Sequence, residues 1–175
     1  MWTTYVCNTD RDHGELHRVV RRQRQMCLRA SSSGVHANGF SLVRKVLTLE
    51  GLGFDAPSPW SVNQTVGEAL LNPTRIYTTA ALAAIKAGGV HGICHITGGG
   101  FYENLPRIVP KSLAVRIDPN CWVRPTVFDW IADAGGIHPS EMYRTFNCGI
   151  ACYYTHLTLP PIFSFMMLHY LRSPN

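Results

Sequence analysis

The sequence predicts an α/β domain, with α+β as the second arrangement left open: a mixed sheet flanked by helices. Three observations carry this. Short apolar runs alternate with segments of helical periodicity, the pattern of strands and helices layered in one unit. Of the 175 residues, 46% are hydrophobic and 15% charged, enough apolar material for a packed core and too much for wholesale disorder. A third sign is local. An apolar run leads into Gly98, Gly99 and Gly100, and a polar stretch with Glu103 and Asn104 then opens a helical turn.

Taken in order, residues 1–30 show neither alternation nor helical periodicity and read as an arginine-rich leader. Ser31-Ser32-Ser33-Gly34 marks a loop, after which the character changes. Phe40, Leu42, Val43, Val46, Leu47 and Leu49 predict an amphipathic helix with Arg44 and Lys45 toward water, ended by Gly51-Leu52-Gly53. Pro57 and Pro59 make 55–63 a surface loop. A short helix follows over 66–71, cut by Asn72-Pro73. A longer one spans 75–87, with Ile76, Ala80, Ala83 and Ala84 for close packing and Gly88-Gly89 as its stop. Strands are expected at 90–96, 114–117 and 149–154, and helices at 127–134 and 139–146. The remainder, 153–175, is an apolar tail.

Charge and cysteine usage exclude several classes. The net charge of +5 suggests nucleic acid at first sight. However, Arg18, Arg21, Arg22, Arg24 and Arg29 supply it, all within the leader, and a solvated arm is the commoner meaning of such a run. We therefore expect no nucleic-acid partner. Cys7, Cys27, Cys94, Cys121, Cys148 and Cys152 show no compact paired spacing, and the N-terminus has no secretory core. Free thiols in a cytoplasmic protein are the simplest reading. The tail is interrupted by His156 and Pro160-Pro161 and falls short of the roughly 20 apolar residues that span a bilayer, so no membrane partner is expected.

Four joins attract chemical interest. At Thr97-Gly98-Gly99-Gly100, glycines can turn backbone N–H groups toward an anion, and the helix start adds partial positive charge. A plain tight connection is the commoner use of a glycine triplet. His91-Gly92-Ile93-Cys94-His95 invites a metal, but on a strand Cys94 points away from His91 and His95. No metal site is expected there. In Ser33-Gly34-Val35-His36-Ala37-Asn38-Gly39, His36 can act as acid, base or donor near neutral pH, and Asn38 can cap the following helix. Ser33 beside His36 lacks the surroundings of a nucleophile. Arg144, near a helix C-terminus, fits an anion contact or, more simply, a surface arginine.

Together these joins resemble a known family. Ser32-Ser33-Gly34-Val35-His36-Ala37-Asn38-Gly39-Phe40-Ser41-Leu42-Val43-Arg44-Lys45 resembles the opening of the C-terminal domain of phosphoribosylformylglycinamidine cyclo-ligase (aminoimidazole ribonucleotide synthetase). Leu71-Asn72-Pro73-Thr74-Arg75-Ile76-Tyr77, the stretch from His95 to Arg107, and Glu141-Met142-Tyr143-Arg144-Thr145-Phe146-Asn147-Cys148-Gly149 resemble the next three signatures, in the family's order. The resemblance covers 31–152 and implies that domain's fold.

It also implies a reaction of purine biosynthesis: ATP phosphorylates the formyl amide oxygen of formylglycinamidine ribonucleotide, a nitrogen of the same molecule displaces phosphate, and the imidazole ring closes. By resemblance, His36 is the catalytic candidate, Asn38 faces the substrate, and Thr97, Gly98, Gly99 and Gly100 bind phosphate. ATP, magnesium and a homodimer come with the family. Its N-terminal domain, with the acidic residues for magnesium and ATP, has no counterpart in 1–30. The abrupt changes at 31 and 152 predict a truncated coding region whose ends come from a shifted frame or an assembly junction. The expected product is an incomplete cyclo-ligase, inactive alone. The alternative is a non-catalytic α/β module that binds a phosphorylated metabolite.

Overall fold

The structure is a computed structural model that describes residues 26–111, 115 and 117–156. It is a mixed α/β unit, as the alternating pattern predicts. Three strands, β1 (Met26–Ser31), β2 (Val90–His95) and β3 (Ile150–His156), form one antiparallel sheet in the order β1-β3-β2. The last strand therefore lies in the middle, with Ala30 opposite Cys152 on one side and His95 opposite Cys152 on the other.

β1 corrects the reading of 1–30 as a leader throughout, because its last residues enter the sheet. Its partners are more than a hundred positions away in β3, and no local pattern announces them. The rest of the arginine-rich segment lies outside the described residues. So do half of the expected strand at 114–117 and nearly all of the apolar tail.

Six helices surround the sheet among the described residues: α1 (Phe40–Leu49), α2 (Val66–Leu70), α3 (Thr78–Ala87), α4 (Gly100–Asn104), α5 (Thr126–Ala134) and α6 (Pro139–Thr145). The apolar stripe of α1 buries Val43, Val46 and Leu47 against Phe128 and Ile131 of α5, Met142 of α6, and Phe146. This main core covers the face of β3 that carries Tyr153. The opposite face holds Ala30, Ala151, Cys152 and Tyr154, and α3 covers it through Ala84 together with Tyr77. Apolar burial of this kind, about 25 cal/mol per Å², supplies most of the drive to fold.

Two local expectations change. Asn38 does not cap α1. Gly39 takes the N-cap position in the left-handed conformation (φ 74°), with no side-chain capping bond. The Phe146 ring lies where a Gly39 side chain would stand, with its Cδ1 atom 2.8 Å from that point. The second helix of the 66–87 region starts at Thr78, three residues later than expected, and Ile76 is exposed instead of packed. The cause is visible upstream: Arg75 and Tyr77 are both tied to Ser31 before the helix begins. By contrast α2 starts as its sequence suggests. Thr65 and Glu68 form a reciprocal capping box.

Candidate functional site

The first loop is fixed by a buried asparagine. The Asn147 side-chain oxygen accepts from the Ser32 hydroxyl (2.7 Å) and from the Gly149 N–H (2.9 Å), while its amide donates to the Gly34 carbonyl (3.0 Å). The Ser32 N–H completes the link by donating to the Gly149 carbonyl (2.9 Å). Residues 32–34 are thereby laid on the joint between α6 and β3.

His36 sits just beyond, buried and left-handed (φ 59°). Its Nε2 accepts from the Ser33 N–H at 3.1 Å, so the neutral ring carries its proton on Nδ1. Burial first, then the nearby His95 and Arg75, lower its pKa from the ordinary 6.5. The Ser33 hydroxyl also lies 3.1 Å from Nε2 but donates to the Pro73 carbonyl (2.8 Å), which joins the first loop to the second signature. Arg75 donates to the Ser31 hydroxyl (3.0 Å), and the Tyr77 hydroxyl to the Ser31 carbonyl (2.9 Å). Burial pushes Tyr77 up to about 12, so it remains a donor at any physiological pH.

The glycine loop is held from inside by Asn104. Its Nδ2 donates toward the carbonyls of Thr97 (3.3 Å), Gly98 (3.1 Å) and Gly100 (2.7 Å), and its Oδ1 lies 3.4 Å from the Thr97 hydroxyl. With the carbonyls turned inward, the N–H groups of Gly98 and Gly99 make no bond within the described residues. Gly100 is a packing residue. At φ 56° its missing side chain would strike the Tyr143 carbonyl oxygen and stand 2.8 Å from the Arg144 carbonyl carbon, so α4 lies directly on the end of α6. Gly99 (φ 87°) has the Glu103 carboxylate over its α-carbon.

The two loops meet. The Asn38 Oδ1 lies 3.6 Å from where a side chain on Gly98 would begin. Asn38 and Gly98 thus border one another, while Gly99 and Gly100 face Glu103 and α6. Arg144 is already engaged, 3.3 Å from Glu141 and with its guanidinium 5.5 Å from the Tyr102 ring centre, which fits a surface arginine. Asp129 pairs with Arg124.

Five residues here had no role in the sequence reading: Arg75, Tyr77, His95, Asn104 and Asn147. All five lie inside the matched signatures, yet only the fold shows what they touch. Cys94 is buried while His91 and His95 are exposed, as strand alternation requires. Among the described residues no three of His, Cys, Asp or Glu gather where they could hold a metal ion, and no helix is long and apolar enough to cross a membrane. A cavity of about 580 Å³ lies elsewhere, along Phe101, Leu105, Val115, Ile117 and Tyr143, and is largely apolar.

The family model described as AIR synthase related protein, C-terminal domain, matches residues 28–155, which run from β1 through β3 and take in both loops. The matched segment is well over half of the 175 residues. This chain belongs to the AIR synthase related family and carries its C-terminal domain.

Proposed function

We propose that this chain provides one wall of the nucleotide-substrate site of an aminoimidazole ribonucleotide synthetase, with formylglycinamidine ribonucleotide as ligand. The observation that supports it most is the meeting of Asn38 with Gly98, which joins the two loops that the family resemblance assigns to the substrate. Asn38 presents an amide that can pair with the amide or amidine of the substrate, and the Gly98 N–H offers a donor to its phosphate. The Glu103 carboxylate beside Gly99 sends an anion toward the Asn38 side of the loop. His36 holds its proton on Nδ1 and serves as a donor; its Nε2 is spent on Ser33.

ATP and magnesium belong to the reaction by resemblance, as do a homodimer and a cytoplasmic setting. The resemblance assigns magnesium and ATP to acidic residues of an N-terminal domain. For the same reason the chain alone is expected to bind and not turn over. Equilibrium titration of formylglycinamidine ribonucleotide, with Asn38→Ala beside the native chain, tests this. Loss of one such amide contact weakens binding about tenfold. No binding to the native chain refutes the reading.

One observation favours the alternative, a module that binds a phosphorylated metabolite without catalysis. The engaged Nε2 of His36 leaves no free imidazole lone pair to act as base. ATP-dependent formation of aminoimidazole ribonucleotide after addition of the N-terminal domain of an aminoimidazole ribonucleotide synthetase would exclude it.

A further inference from the structure

The three nitrogen-rich side chains around Tyr77 have a common arrangement that the substrate reading does not use. The Tyr77 ring centre lies 6.4 Å from that of His36 and 5.9 Å from that of His95. Its hydroxyl and the Arg75 guanidinium both end on Ser31, one on the carbonyl and one on the hydroxyl. Arg75, His36 and His95 are therefore gathered about one tyrosine by contacts with fixed geometry.

No acid balances them. Among the described residues the ion pairs join Arg124 with Asp129 and Arg144 with Glu141, and neither reaches this corner. Arg75 is exposed and spends one of its five N–H donors on Ser31. His95 is exposed as well. The charged groups that act on His36 are His95 and Arg75, both cationic when protonated. Cationic groups held together without a counter-charge repel one another, and an arriving anion relieves that cost. A guanidinium fork is the side chain best shaped to grip a tetrahedral oxyanion.

We infer that Arg75, His36 and His95, arranged around Tyr77, form a seat for a phosphate-type dianion, with Arg75 as its main contact. The inference rests on the reading of this face as a ligand-binding wall, and it adds an anion seat apart from the glycine loop.

The test is a titration of the full 175-residue chain with inorganic phosphate, followed by the imidazole resonances of labelled histidines, against sodium chloride at equal ionic strength. Saturable shifts of the His36 and His95 resonances are expected, with the His36 imidazole pKa, lowered in the free chain, rising as the dianion binds. Arg75→Gln should weaken phosphate at least tenfold, Arg75→Lys should retain part of the affinity, and Asn38→Ala should leave it within twofold. Amide spectra of Arg75→Gln that match the native chain beyond residues 31–36 and 73–77 establish that its fold is kept. Undiminished phosphate binding by Arg75→Gln, the same shifts with chloride, or no response in the native chain overturns the inference. Loss of phosphate in Asn38→Ala but not in Arg75→Gln places the anion on the glycine loop, which overturns the seat and leaves the proposed function standing.

Discussion

Replacing Asn104 by Asp is the most direct probe of how the glycine loop is held. The two residues have the same shape, but a carboxylate has no proton to give. Three carbonyl oxygens then face it, of Gly100 at 2.7 Å, Gly98 at 3.1 Å and Thr97 at 3.3 Å, around a side chain only 2% exposed. The short bond to Gly100 is fully buried, and leaving that acceptor unpaired costs about 1–3 kcal/mol. The two longer bonds share the remaining proton and add roughly 1 kcal/mol together. The expected loss is about 2–4 kcal/mol, a large part of the ~5–15 kcal/mol that holds a domain of this size. Thermal unfolding followed by circular dichroism should fall by about 6–15 °C. Asn104→Leu, which removes the donor without adding charge, should lose a similar amount. The Asp variant should approach the native chain as the pH falls, since a protonated carboxyl regains one donor. Either variant within about 0.5 kcal/mol of the native chain would refute the account of the loop, because so small a loss is what surface substitutions produce.

Other expectations follow from the same geometry. Gly100→Ala should cost about 3–5 kcal/mol, from left-handed strain plus the collision with α6, whereas Gly136→Ala, equally left-handed (φ 57°) but with nothing within 4 Å, should cost only about 1–2 kcal/mol; urea denaturation separates them. His36 is harder to protonate folded than unfolded, so the unfolded chain binds more protons and stability rises with pH. The urea midpoint should hold above about pH 6.5 and drop as the pH falls below it; His36→Asn, which tolerates the left-handed backbone, should flatten that slope. Burial pushes the Cys148 thiol up to about 12 and Cys152 to about 11, so neither should react with a maleimide at pH 7.5 until denaturant is added, as read by mass spectrometry of the labelled peptides.

What could be read from the sequence was what depends on neighbours in the chain. α1 has six apolar residues at helical spacing, and α5 and α6 begin and end near their turn residues, so their bounds were legible to within a residue or two. β1 was not, because six residues beside an arginine run become a strand only through pairing with β3. Asn38 illustrates a different failure. Its type favours capping, but the Phe146 ring demands a residue without a side chain next door, and Gly39 takes the cap while Asn38 turns to Gly98. The glycine triplet looked uniform. In the fold its members differ: Gly98 borders Asn38, Gly99 lies beneath Glu103, and Gly100 is pressed on α6. Asn104 and Asn147 looked like ordinary loop asparagines. Their work is done by burial, which a sequence does not state.

The middle position of β3 sets the order in which this domain can assemble. Among the described residues, β1 and β2 meet in the sheet only by way of β3. During synthesis both must wait as unpaired edges until Ile150–His156 has left the ribosome. Asn147, which pins the first loop, emerges only just before. Neither loop can therefore take its place early. The ligand face is assembled in a single late step, and a chain interrupted between His95 and Ile150 should leave two unpaired strands for proteases and chaperones to find.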